Sequence, residues 1–414
     1  PVNGTTFLAN STQDYGVVID NSASMNTIGG TLANEGNLIS GNSTGIANSG
    51  TGVLLALSTL NKVYGNFIGT QNNGASYVAN NEQGTGIEIQ GSSNYIGGNT
   101  PLFRNIISAN ENYGIYMTAS SNNNLIFGNY IGPTNGITAI AGSTQDYGMY
   151  VLGQGNLIGR YSGGGTNRPE GNIIAFNSAE GIGVSGAGAT SNLISRNLIY
   201  TNGGVGAKAI NLYGTGNGNK AFPLITSYNA TTVSGTGSAG DSIEIFKNNT
   251  LNCQDAMVFL GTVLVNGAGN WSITGVTINA GEIPVATART VANFNTSEFS
   301  NFDGVIWLRK TFEVPANMLG KDLTLEITNM DDADETWYNG EQIGATSGAE
   351  LERNYQIIAK MNKSAKATIV IRMVDWGGGM GVKGELKLRN AQNVLDLSSE
   401  WLYKSTYNFK ELSK

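Results

Sequence analysis

Histidine is absent from the 414 residues, and cysteine occurs once, at Cys253. The first absence removes the side chain most used as a general base near neutral pH, so a serine nucleophile here would lack its usual activator. The second excludes an intrachain disulfide and any thiolate cluster for a metal. Proline is scarce, at 7 residues, and only 13% of residues are charged. Low charge combined with 40% hydrophobic residues argues against disorder, because such a chain can bury a core. No apolar run approaches the roughly 18 residues a spanning helix requires, which argues against a membrane-spanning chain. The formal net charge of −7 comes without a basic stripe carrying interleaved aromatics, which argues against nucleic acid as a partner. The chain starts at Pro1 with neither an initiator Met nor a signal peptide, as a processed or trimmed product would.

What is abundant is glycine, 58 residues of it, together with a recurring asparagine phrase. Asn124-Leu-Ile-Phe-Gly-Asn129-Tyr-Ile-Gly132 has counterparts at Asn26–Gly30, Asn37–Asn42, Asn94–Gly98, Asn105–Asn110, Asn172–Asn177 and Asn192–Asn197. Each has an Asn, a two-residue apolar step, a small residue and often another Asn. Between them stands Gly followed by three mostly apolar residues, as in Gly86-Ile-Glu-Ile, Gly114-Ile-Tyr-Met, Gly148-Met-Tyr-Val and Gly181-Ile-Gly-Val. Apolar runs this short fit strands cut by turns, and strands this small bury a core only when stacked as the rungs of a solenoid. Inward Ile, Leu and Val, Ile126 among them, then stack on their counterparts about 4.8 Å away. Asn suits the corners because it tolerates left-handed backbone angles and its amide can bond to its copies above and below, with Gly at corners closed even to Asn. Ser11-Thr-Gln-Asp-Tyr-Gly16 returns unchanged as Ser143–Gly148, which points to duplicated multi-rung blocks.

The repeat runs from about Tyr15 to Leu212 and resembles the right-handed parallel β-helix repeats of large secreted bacterial surface proteins. The phrases that carry the likeness are Asn26–Gly30, Asn37–Asn42 and Gly65–Thr70. From Phe222 to Ser300 longer alternating strands, such as Ser242–Phe246 and Val258–Val265, predict a small antiparallel sandwich. Ser234-Gly-Thr-Gly, Gly269-Asn-Trp271 and Asn295–Ser300 resemble the bacterial Ig-like module that follows such β-helices. The stretches Phe302–Pro315, Asp331–Gly340, Val374–Gly381 and Leu397–Lys404 resemble the jelly-roll insertion of sialate O-acetylesterases, which is galactose-binding-like. The expected fold is therefore all-β: a right-handed parallel β-helix over residues 1–222, an Ig-like β-sandwich over 223–300 and a galactose-binding-like jelly roll over 301–414.

The chemistry is argued mostly from what does not assemble. Hydrolytic β-helices need two carboxylates within about 10 Å. Across residues 1–222 the acids are Asp14, Asp20, Glu35, Glu82, Glu88, Glu111, Asp146, Glu170 and Glu180, and the pair in equivalent repeat positions is Asp14 and Asp146. At about 22 to 25 residues per coil they stand five or six rungs apart, on the order of 25 Å. A lyase could use Arg104, Arg160, Arg168 or Arg196 with calcium, but no Asp cluster in the repeat would hold the ion. Gly240-Asp-Ser242 lacks the Asn that follows the nucleophile in the esterase family, and no catalytic residue is assigned.

The densest acids, Asp331, Asp332 and Asp334 with Glu335, could hold calcium as hard oxygen ligands or cap a turn. No other cofactor is expected. Trp307, Trp337 and Trp376 could stack on sugar rings, with Trp337 and Trp376 the candidates for glycan contact. The expected role is a secreted or cell-surface adhesin or structural protein that meets an extracellular glycan or other surface proteins. The alternative is a carbohydrate-active enzyme, either a β-helix polysaccharide lyase or part of a sialate O-acetylesterase-like protein without its hydrolase domain.

Overall fold

The computed structural model describes residues 12–43, 49–71, 74–77, 82–98, 100–159, 171–203, 207–248, 255–290, 304–328, 330, 332–348, 351–375, 386–397 and 401–408. Three parallel sheets make up the first part, each taking one short strand from every turn of the chain. The first sheet stacks Tyr15–Ile19, Thr51–Leu55, Thr85–Ile89, Tyr113–Met117, Tyr147–Val151, Ile182–Ser185 and Ile210–Tyr213. The second runs from Thr27–Gly29 to Leu193–Ser195, and the third from Leu38–Ile39 to Leu198–Tyr200, with six strands each. This is a parallel β-helix. Its interior is a column of aliphatic side chains, in which Val63, Ile96, Ile126 and Ile158 from the second sheet meet Ile68, Ile107, Ile131 and Ile174 from the third, all without exposed surface.

Register pairs give the coil length. Tyr15 pairs with Thr51, Thr51 with Thr85, Thr85 with Tyr113, Tyr113 with Tyr147, Met149 with Ile182 and Ile182 with Ile210. The turns thus take 36, 34, 28, 34, 33 and 28 residues, longer than the sequence suggested, because loops of differing length leave the corners.

Every corner carries an amide ladder, exposed at Asn26 and Asn37 in the first turn and buried in the turns that follow. Asn26, Asn61, Asn94, Asn124, Asn156 and Asn192 form the first, each donating from Nδ2 to the Oδ1 above until Asn192 donates its main-chain N–H to Asn217. Asn37, Asn66, Asn105, Asn129, Asn172 and Asn197 form the second. The third mixes Asn and Gln, running Asn42, Gln83, Asn110, Gln145, Asn177, Asn202. Asn94 shows the full set: Nδ2 donates to Asn124 Oδ1 and to the Ser58 carbonyl, while its Oδ1 accepts the main-chain and side-chain N–H of Asn61. A primary amide buried with all its valences used costs little, whereas an unsatisfied one would be heavily penalised.

Two readings of the repeat change in detail. The left-handed angle at the corner belongs to the residue before the Asn, as at Met25, Leu60, Ser93, Asn123 and Ser191 before the first ladder. The Gly that opens each first-sheet phrase is required by space: a Cβ on Gly114 would sit 2.6 Å from Ile131 Cγ2, and one on Gly148 2.3 Å from Ile174 Cγ2. Neither residue has a positive φ.

After Tyr213 the pairing becomes antiparallel. Leu224–Tyr228, Thr232–Thr236 and Asn270–Thr274 form one sheet, and Val258–Leu264, Asp241–Asn248 and Ile283–Thr290 another. Val233, Ile243, Ile245 and Trp271 lie in the core they share. This small sandwich and the β-helix form one compact unit. Ile199 and Ala256 exchange main-chain hydrogen bonds across the junction, and buried Glu244 accepts from Ser195 Oγ and the Arg196 N–H.

The second compact unit, described from residue 304, has a five-stranded antiparallel sheet of Glu341–Ser347, Ala333–Tyr338, Lys366–Asp375, Gly304–Glu313 and Leu402–Asn408. It shares a core with a four-stranded sheet of Arg353–Ile357, Leu323–Ile327, Leu386–Arg389 and Val394–Asp396. Alternation sends Ile306, Leu308, Ile369, Ile371 and Tyr338 inward.

Candidate functional site

Along the first-sheet strands the side chains run outward, glycine (Ala209 in the last), inward, outward, inward, as in Tyr147-Gly-Met-Tyr-Val151, where Met149 and Val151 are buried and both tyrosines half-exposed. Register stacks the outward positions into columns. Tyr113 lies beside Tyr147, with centroids 5.6 Å apart, and Tyr116 beside Tyr150, at 6.3 Å. On the next turn Gly183 follows Tyr150, and the missing side chain leaves room for two rings. A Cβ on Gly183 would meet Tyr150 Cδ2 at 2.9 Å and Tyr213 Cε2 at 3.2 Å. Tyr213 comes within 6.0 Å of Tyr150, so five tyrosines make one outer surface.

The rim of this surface is acidic. Tyr213 O–H and Asn211 Nδ2 each donate to Glu180, at 2.6 and 2.9 Å. Lys208 donates to Asn211 Oδ1, Ser178 to Asp146, and Gln90 to Glu88. Burial, and after it Tyr116, Tyr150, Tyr147 and Asp146, hold the Tyr113 phenol above its ordinary range. Burial and then Glu88 do the same for Tyr116, and burial and the Glu180 contact push Tyr213 far up. These phenols are therefore neutral donors at physiological pH. Apolar ring faces beside neutral hydroxyls, amides and carboxylates match the alternating C–H and O–H surface of a sugar.

The tyrosines were not singled out from the sequence, although Tyr113-Gly-Ile-Tyr116 and Tyr147-Gly-Met-Tyr150 repeat the signal one coil apart. Asp14 and Asp146 stand four coils apart, since Tyr15 connects through Thr51, Thr85 and Tyr113 to Tyr147. That is about 19 Å at the strand spacing. Acids brought to neighbouring turns include Asp146 and Glu180, because Ile182 pairs with Met149 and so sets Glu180 level with Tyr147, and Glu111, whose carbonyl accepts the Asp146 N–H from the turn before.

In the second unit, Asp331 and Trp376 lie outside the described residues. Asp334 is buried and faces inward: Arg353 Nε donates to Oδ1 at 3.0 Å, the Tyr355 hydroxyl reaches both oxygens, and Thr336 Oγ1 donates to Oδ2. This carboxylate is held by a guanidinium and two hydroxyls, while Asp332 sits half-buried just outside the strand. No group of three or more His, Cys, Asp or Glu suited to a metal occurs among the described residues. Trp337 is half-buried on the outer face of the five-stranded sheet and stacks on Trp307, with centroids 5.6 Å apart.

A profile of the family described as "Periplasmic copper-binding protein (NosD)" matches residues 4–165, less than half of the chain. The β-helix is similar to that family. No curated protein sequence matches. Among solved structures, a beta-glucuronidase from Lactobacillus rhamnosus is 16% identical over 29% of this chain, with a TM-score of 0.19, and the chain spans only 20% of it. A Pleurotus ostreatus lectin in complex with GalNAc is 13% identical, covering 45% of this chain and 82% of its own, with a TM-score of 0.20. A tailspike protein of Escherichia coli O157:H7 bacteriophage CAB120 is 11% identical, covering 91% of this chain and 55% of its own, with a TM-score of 0.22. Among the described residues no helix is long and apolar enough to cross a membrane.

Proposed function

We propose that this protein is an extracellular or periplasmic glycan-binding β-helix, of the kind found in cell-surface adhesins, whose tyrosine face holds a polysaccharide. The observation that carries the reading is the cluster Tyr113, Tyr116, Tyr147, Tyr150 and Tyr213 on one outer face, rimmed by Glu88, Asp146 and Glu180. An acidic rim disfavours acidic polymers by like-charge repulsion, so the ligand of this face is a neutral polysaccharide. In this reading the sandwich of residues 224–290 is an Ig-like spacer, and the second unit is a galactose-binding-like jelly roll.

Copper, named in the matched family's description, does not fit the residues present. Residues 4–165 contain neither His nor Cys, and of their methionines Met117 and Met149 are buried in the aliphatic column while Met25 lies exposed by itself. Copper sites need imidazole, thiolate or converging thioethers. The reading also places no calcium on Asp334, whose oxygens are already engaged.

Affinity electrophoresis of the whole chain through gels containing neutral polysaccharides tests the proposal. Retardation is expected with at least one polymer. Each of Tyr113→Ala and Tyr150→Ala should weaken it several-fold, since a ring contact is worth about 1 kcal/mol. Migration unaffected by a broad set of neutral polymers would sink the reading. One observation favours a second reading, a glycan-cleaving enzyme: Asp146 and Glu180 occupy neighbouring turns beside the tyrosines. Release of reducing ends that disappears in Glu180→Gln would establish it.

A further inference from the structure

The outer face of the five-stranded sheet in the second unit has the opposite charge character to the tyrosine face. Register fixes its rows: Trp307 lies level with Arg372 and Glu335, and Arg309 level with Val370 and Trp337. The next row brings Thr311 and Thr368 together, hydroxyl to hydroxyl at 2.9 Å. Their strand neighbours Ile306, Leu308, Ile369 and Ile371 are fully buried, so this second set of side chains stands on the solvent side. The two indoles lean toward each other over the middle strand and stack with an interplanar angle of 24°.

Arg309 is exposed, and the structure gives it no ion pair among the described residues. Arg372 is bonded to Glu335 at 3.1 Å, but both side chains are more than a third exposed, and such a pair is easily exchanged for another carboxylate. A planar guanidinium takes a carboxylate through two parallel hydrogen bonds, and an indole face takes the C–H face of a sugar ring. The three features lie within two rows of one sheet.

We propose that this face binds an acidic saccharide: a carboxylated sugar whose ring packs on Trp337 and Trp307 and whose carboxylate pairs with Arg309. Thr311 and Thr368 are the adjacent hydroxyl contacts. The site lies in the other compact unit, does not rest on the tyrosine face, and shares with it only the carbohydrate class of ligand.

The test uses the whole chain on immobilised polygalacturonate and polysialic acid, with carboxyl-reduced polygalacturonate as the neutral control. Retention on at least one acidic polymer and not on the reduced one is expected. Arg309→Gln, an exposed change that leaves the core intact, should weaken retention about tenfold, as loss of a charge-assisted pair implies. Trp337→Ala should do likewise, and Tyr113→Ala should not. Retention on neither acidic polymer, equal retention on the reduced polymer, or retention unchanged in both Arg309→Gln and Trp337→Ala would overturn the proposal. Loss in Tyr113→Ala alone would move the acidic ligand to the tyrosine face and overturn it equally.

Discussion

At the scale of single residues, the rung imposes different demands on neighbouring positions. Ile126 has no exposed surface and stacks between Ile96 and Ile158. Ile126→Asp places a carboxylate in that aliphatic column, which costs several kcal/mol. A clearly lowered thermal midpoint of the first unit's unfolding is expected, and an unchanged one would contradict the inward position. The inward aliphatics were legible in the sequence because burial alone selects them. The amide ladders were legible too, since each Asn repeats one task at one corner. Two residue-level facts were not. Nothing in Met25, Leu60 or Ser93 announces a left-handed angle, because the ladder Asn that follows enforces it through the hydrogen bonds it must make. The spacing role of Gly114 and Gly148 was hidden as well, because the Ile that excludes a Cβ comes from another sheet.

At the scale of elements, parallel strands of two to five residues, recurring in order, could be read directly from the phrases. Which turns face one another could not, because coil length varies between 28 and 36 residues with loops of no shared pattern. That is why Asp146 and Glu180 were missed as neighbours: their adjacency depends on a 33-residue turn. The tyrosine face escaped for a related reason, since outward Tyr and inward Met look alike in a hydrophobic alternation. The junction at the end of the helix makes its own prediction. Glu244 is buried and accepts from the Arg196 N–H and Ser195 Oγ, with the Arg289 guanidinium 3.8 Å away. Glu244→Ala strands those donors, a loss of roughly 2 kcal/mol or more for hydrogen bonds to a charged acceptor. Amide exchange at Arg196 and Ile199 should accelerate while that at Ile126 stays slow. Uniform protection would show that the sandwich docks without this carboxylate.

At the scale of the whole molecule, the absence of histidine leaves the alkaline side of the pH dependence to groups that titrate near pH 10, and among them tyrosine stands out. Phenols in both units are raised, Tyr113, Tyr116, Tyr200 and Tyr213 in the first and Tyr338 and Tyr355 in the second, with Tyr338 pushed up to about 12 by burial. The folded chain keeps protons that the unfolded chain releases near pH 10, so their contribution is complete below about pH 10 and is lost as pH rises toward 12. Thermal midpoints should hold level up to about pH 9.5 and fall steeply above it, with tyrosinate absorbance appearing later in the folded chain than in urea. A midpoint flat to about pH 11.5 would contradict the raised phenols. The amide ladders bear on the molecule's length. Each buried Oδ1 presents the same acceptor to the turn before it, and each Nδ2 the same donor to the turn after. Residues can therefore be added freely in the loops, but the stack itself can lengthen or shorten only by complete turns. Growth of the shaft is quantised in steps of about 4.8 Å, so its reach is a count of turns and is independent of the number of residues.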